Sequence, residues 1–287
     1  MIKKTDLVLS MGQRVLLLFC LFLVCYVLTM AGSYVLGRIL ANNPAGAVRI
    51  GAVLQDVLAF IIPAVVTALL VTRKPAELLC LSTKPSLTSI LLVIIIAFVS
   101  IPAQEAVIYW NYNISLPESM ANFEAMARQF EANASDSIKL LLGDTSVAAL
   151  IVNVLIIGVF AGFSEEILFR GCYLRLLTTG GPKLHRYVWV TAFVFSALHF
   201  QLFGFVPRML LGAYFGYLLV WTGSIWVPVF AHVLNNTMYV ITAWYQVKES
   251  GISVLDAEPT LYSTPLIIGS IIATAICLYG VKRLAQK

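Results

Sequence analysis

Charge is what this sequence has least of. Only 11% of its 287 residues are Asp, Glu, Lys or Arg, against 60% hydrophobic residues. The mean hydropathy is +0.90. A soluble chain of this size could not cover its surface with so few polar side chains, so the composition points to a polytopic membrane protein. Cysteine is scarce as well. Cys20, Cys25, Cys80, Cys172 and Cys277 form no CxxC pair. That counts against a disulfide framework or a zinc knuckle and fits small buried hydrophobes. There are three histidines, His185, His199 and His232, and no HExxH. Internal repeats, low-complexity tracts and a soluble domain are lacking too. The basic excess, 19 Lys and Arg against 14 Asp and Glu, does not suggest nucleic acid. It reads as loop charge that orients the chain in a bilayer.

What the sequence does have is long apolar runs. Spanning takes about 20 such residues. Eight stretches qualify by pattern: 15–37, 50–71, 87–108, 147–169, 187–203, 206–222, 225–246 and 264–281. Each is expected to be a helix, because an open strand cannot satisfy its backbone in lipid. The expectation is an all-α protein with one transmembrane domain over 1–287 and a motif-bearing core at about 147–246. The N-terminal run from Val15 to about Gly37 is expected to span rather than to serve as a cleaved signal, since no small-residue cleavage site stands out. With the N-terminus cytoplasmic, 13 of the 19 basic residues fall on the inner side. They are Lys3, Lys4, Arg14, Arg73, Lys74, Lys84, Arg170, Arg175, Lys183, Arg186, Lys282, Arg283 and Lys287. This bias predicts both termini in the cytoplasm, and the plasma membrane if the source is bacterial. The long 109–146 connection is then outside. Met120, Phe123, Ala127 and Phe130 recur in it at helical spacing and predict a short interfacial helix.

Ionisable groups inside spans cost about 2.5–3.5 kcal/mol each on insertion scales, so they are the first place to look for function. The group comprises Asp56, Glu105, Glu165, Glu166, Arg170, His199, Arg208 and His232. Asp56, Glu105 and Arg208 lie near predicted ends, where snorkelling to the interface accounts for them. The stretch Gly162–Gly171, "GFSEEILFRG", is different. Glu166 and Arg170 are four apart and share a helix face, which suits an ion pair. Glu165 points about 100° away and is left for another task. "FVFSALHF" (193–200) puts Phe195 and His199 on one face, and "WVPVFAHVLNN" (226–236) does the same for His232 and Asn236. Read singly, each histidine fits a hydrogen-bonded core residue, and the two carboxylates fit the charged end of a helix. Read together they give a carboxylate, two imidazoles and an amide from three helices. Such a set can activate a water and stabilise an oxyanion, or hold a metal. His185, in a basic loop, is expected to be solvated.

"EEILFR" (165–170), "FSALH" (195–199) and "HVLNN" (232–236) resemble the EExxxR, FxxxH and HxxxN motifs of the CPBP intramembrane proteases. That family includes CAAX prenyl endopeptidases and bacteriocin-processing, Abi-like enzymes. The motifs stand in the family's order, across about a quarter of the chain. The resemblance implies a helical bundle with a membrane-embedded cavity and peptide-bond hydrolysis by a glutamate-activated water. By it Glu165 is the general base. His199 holds the water or a metal, while His232 and Asn236 bind the oxyanion, and Glu166, Arg170 and Phe195 support them. A divalent metal such as zinc stays open, with Glu165, His199 and His232 as its candidate ligands. A peptide or a membrane protein is the implied substrate, met in lipid. The rival readings are a non-catalytic scaffold or immunity protein of the same family, and a proton-relaying transporter. The transporter reading lacks the paired, interrupted helices of two similar halves. One tension remains, because Glu165 is expected near the inner end of its span while His199 lies deep. That calls for a tilted or extended fourth helix, or for a cavity cut in from the cytoplasmic side, and the cavity is the expectation.

Overall fold

The computed structural model describes residues 9–178, 183–256 and 259–284. Lys3, Lys4 and Lys287, counted above among the inner charges, lie outside the described residues. The described residues are helical, with no strand among them. The principal helices are α1 (Met11–Ile39), α2 (Pro44–Val71), α3 (Leu87–Val99), α4 (Ile101–Tyr112) and α5 (Ala121–Leu142). They continue with α6 (Val147–Thr178), α7 (Leu184–Ala197), α8 (Phe205–Thr222), α9 (Trp226–Ser250) and α10 (Thr264–Leu284).

Among the described residues five helices are long and apolar enough to cross a membrane, or six if α3 and α4 form one broken span bent by 51°. The bend falls at Ser100, directly before a helix with Pro102 in its first turn, where a ring in place of an N–H interrupts the ladder. The count of eight is therefore not reached. The 14 residues of α7 reach only about 21 Å at 1.5 Å per residue. At 25 residues α9 is long enough, but His232, Asn235 and Asn236 dilute its apolar run. The amphipathic helix expected in the long connection is α5, with Ala127 buried and Phe123 and Phe130 exposed.

The central element is α6. It runs for 32 residues, about 48 Å, well beyond the 147–169 stretch read from the sequence. Two π-helical segments interrupt it, Val154–Phe160 and Ile167–Leu174, flanking the short α-helical Ala161–Glu166. Such wide turns re-aim side chains and recur at functional sites. Gly158 and Gly162 sit four apart on the side of α6 that meets α9. A Cβ on Gly162 would lie 3.1 Å from the Val233 amide nitrogen, and one on Gly158 would lie 2.6 Å from Thr237 Oγ1. The two backbones approach closely because these positions carry no side chain, the small-xxx-small arrangement of membrane helices. One turn beyond Gly162 is Glu166, and one residue before Val233 is His232, so the close crossing delivers both to one place.

Candidate active site

Glu166 and Arg170 are fully buried. Arg170 Nη1 donates to Glu166 Oε1 at 2.7 Å, and Arg170 Nη2 donates to the Gly212 carbonyl on α8 at 2.8 Å. The guanidinium also lies 4.6 Å from the Phe195 ring centre and 5.3 Å from that of Phe215. Aromatic faces of this kind favour a desolvated cation. Arg170 is therefore not one of the loop charges that orient the chain. It is the bolt between α6, α7 and α8, and its charge is balanced by Glu166.

The same Glu166 oxygen serves His232. His232 Nδ1 stands 2.9 Å from Glu166 Oε1. An ionised carboxylate is acceptor-only, so Nδ1 is the protonated nitrogen and donates to it. This leaves His232 Nε2 as the reactive nitrogen, and it lies 3.8 Å from Glu165 Oε2. The ring is held flat between neighbours, stacked on Phe215 at 4.7 Å and met edge-on by Phe195 at 6.0 Å. His199 is set in a parallel way. Its Nδ1 donates to the Phe195 carbonyl at 2.8 Å, so Nε2 is its free position. Asn236 donates one amide N–H to the Ile157 carbonyl at 3.1 Å. An amide nitrogen carries two protons, so a second N–H remains.

Glu165, His199, His232 and Asn236 all line one cavity of about 360 Å³, together with Arg208 and Tyr239. All four expected site residues thus come together, and Phe195 stands behind both imidazoles. Glu165 is not near the end of its helix. Thirteen residues of α6 follow it, through Thr178, so the extended helix resolves the depth mismatch. Ile108, Phe203, Gly204 and Arg208 line the same cavity.

Two polar residues sit differently from the sequence expectation. Asp56 does not reach an interface. It lies midway along α2 in a π-helical turn, 3% exposed, and Ser164 Oγ donates to its Oδ1 at 2.7 Å. Arg208 lies inside the cavity rather than snorkelling. Neither partner choice could be read from local spacing. The close approach of α6 and α9 was legible as Gly158-x-x-x-Gly162, a signal the sequence reading passed over. His185 is exposed as expected, with Nδ1 2.9 Å from the Tyr217 hydroxyl.

The orientation of both histidines, each with Nδ1 engaged and Nε2 free, is one that metal ligands use. A converging third ligand is what the two imidazoles lack among the described residues. Among the described residues no three His, Cys, Asp or Glu groups converge closely enough to hold a metal ion.

Residues 147–238 match the family model described as Rce1-like, Type II CAAX prenyl endopeptidase. The match covers α6 through the first half of α9 and contains all three motifs. No curated protein and no solved structure matches the chain.

Proposed function

With an Rce1-like domain at residues 147–238, a match that implies a protease of the CAAX type, we propose that this integral membrane protein is an endopeptidase in which Glu165 activates water. One observation carries the reading. The two carboxylates that end "GFSEE" are separated by their surroundings, Glu166 into a dry, paired core and Glu165 onto a cavity shared with two oriented imidazoles. General-base catalysis needs a carboxylate within reach of water and a fixed partner for the charge that develops.

In this mechanism a water enters between Glu165 and His199 and is held by His199 Nε2 as acceptor. Glu165 takes a proton from it as the oxygen attacks the scissile carbonyl. His232, held between Glu166 and Glu165, acts as an imidazolium. Nδ1–H stays on Glu166, and Nε2–H points to the oxyanion, as does the free N–H of Asn236. Glu165 then passes its proton to the leaving amine, and the C–N bond breaks. Glu166 does more here than support the helix end, because it holds His232 directly through Nδ1–H.

The substrate is a peptide or a membrane protein reaching the cavity from the bilayer. Both chain ends lie in the cytoplasm by the distribution of basic residues. The test is Glu165→Gln, which keeps shape and hydrogen bonding but removes the base. Turnover of a quenched-fluorescent peptide should fall about 10²–10⁴-fold, with the folded amount in the membrane unchanged. Wild-type turnover in Glu165→Gln would refute the assignment. The scaffold reading requires that the wild-type protein hydrolyse nothing.

A further inference from the structure

The cavity holds a second arginine, and its setting is unlike that of Arg170. Arg208 Nη2 donates to Gln201 Oε1 at 2.6 Å. That acceptor is a neutral amide, so the bond orients the guanidinium; the Glu131 and Glu165 carboxylates act on its charge only from beyond ion-pair distance. Arg208 Nη1 is buried and has no hydrogen-bond partner. Ion pairs among the described residues join Lys74 to Glu77, Arg128 to Glu124, Lys139 to Asp256, Arg170 to Glu166, and His232 to Glu165 and Glu166. Arg208 is in none of them. Glu165 lines the same cavity, yet no ion pair forms between the two.

The segment carrying this guanidinium is fixed from several sides. Glu131 on α5 accepts from the Phe203 amide at 2.9 Å, and the Arg128 guanidinium sits 4.1 Å over the Phe203 ring. Asn111, itself buried, donates to the Leu202 carbonyl at 3.2 Å and accepts from the Val206 amide at 2.8 Å. Ser196 donates to the Phe205 carbonyl at 2.6 Å. Within that clamp Gly204 makes the room. Its φ of −116° suits any residue, but a Cβ there would stand 3.1 Å from Arg208 Nη2 and 3.5 Å from Nη1. The guanidinium therefore lies directly on backbone. A rigidly held guanidinium with one buried, unused donor is costly until an acceptor reaches that donor. A planar fork of N–H groups matches a carboxylate in two-point geometry.

We propose that Arg208 is a carboxylate-binding subsite of this cavity. The substrate of the hydrolysis proposed above, on which this inference rests, then carries a carboxylate a short reach from the bond that is cut. Two sources share that chemistry: the free C-terminus of a peptide, and an Asp or Glu side chain. Arg208 selects the substrate and sets its register, while Glu165 performs the proton transfer.

The experiment uses the full chain in detergent and quenched-fluorescent peptides of one Ala, Val and Leu sequence in three forms. One ends in a free carboxylate, one in an amide, and one is the amide with a Glu walked along both sides of the cut bond. Wild-type kcat/KM should favour one carboxylate form over the neutral amide by about 10- to 100-fold, mainly through KM. Whichever form wins names the source. Arg208→Gln should bring that ratio close to one, and Arg208→Lys should keep part of it. Equal kcat/KM for all three peptides in the wild type would overturn the proposal, as would a preference that survives in Arg208→Gln. Anisotropy binding of the same peptides to Glu165→Gln is the second measurement. If the wild type cleaves none of them, the catalytic reading fails. Carboxylate-dependent binding lost in Arg208→Gln would still uphold the subsite, and charge-independent binding would overturn it.

Discussion

Replacing Glu166 with Gln exchanges one carboxylate oxygen for an amide nitrogen and tests the division of labour between the carboxylates. The new side chain can keep its carbonyl oxygen where Oε1 stands, accepting from Arg170 Nη1 and His232 Nδ1. Its NH2 then takes the place of Oε2, which is buried and without a partner. Packing and hydrogen-bond count are conserved, so the loss is the negative charge. Arg170 Nη1 is 2.7 Å from Glu166 Oε1, and both side chains are fully buried. Charges about 4 Å apart interact by about 4 kcal/mol at the effective dielectric that suits protein sites. Breaking a buried pair from one side is measured at about 3–5 kcal/mol. A loss of that size lowers an unfolding midpoint by on the order of 10 °C for a chain of this class. The chain supplies its own reporter. Cys172 is fully buried on α6, six residues from Glu166, and becomes reactive to a thiol dye only when the bundle opens. The exposed Cys20 gives a constant background that Cys20→Ser removes. Glu165→Gln, by contrast, should melt much closer to the wild type, since Glu165 faces a cavity and its partner His232 stays paired to Glu166. Turnover per folded molecule should be lower in Glu165→Gln than in Glu166→Gln, although Glu166→Gln also weakens the His232 imidazolium. An unchanged midpoint for Glu166→Gln would refute the idea that Glu166 balances Arg170. A large drop for Glu165→Gln would show that the two roles are reversed.

Two further outcomes are expected. Activity of the purified, untagged protein should survive strong chelators, because no three donors among the described residues converge on one point; stoichiometric metal by elemental analysis, together with loss of activity on its removal, would restore a metal such as zinc to the site. Single cysteines at positions 183 and 124, in a background without the native ones, should react with impermeant reagents from opposite sides of the membrane, 183 from the cytoplasm; labelling of both from one side would overturn the topology.

Much of this protein was already legible in the chain because helix geometry is local. Once lipid imposes helices, residues four apart share a face, so Glu166 with Arg170, Phe195 with His199 and His232 with Asn236 could be grouped before any fold was known. The low charge set the class, and the three motifs named the helices that carry the chemistry. Span boundaries were less secure. Hydropathy sees residues against lipid, whereas α6 continues past Glu165 inside protein, where "EEILFR" is shielded by its own partners. What only the tertiary structure decided are the contacts between distant segments. His232 is 66 residues from Glu166, Asp56 is 108 from Ser164, and Asn111 is 95 from Val206. Periodicity cannot order such pairs, because it fixes which face a residue occupies and not which helix covers that face. Asp56 and Arg208 show the consequence. Each looked like a charge near a helix end, and each became an interior group because a distant segment covers it: α6, through Ser164, for Asp56, and the clamped segment around Phe203 for Arg208.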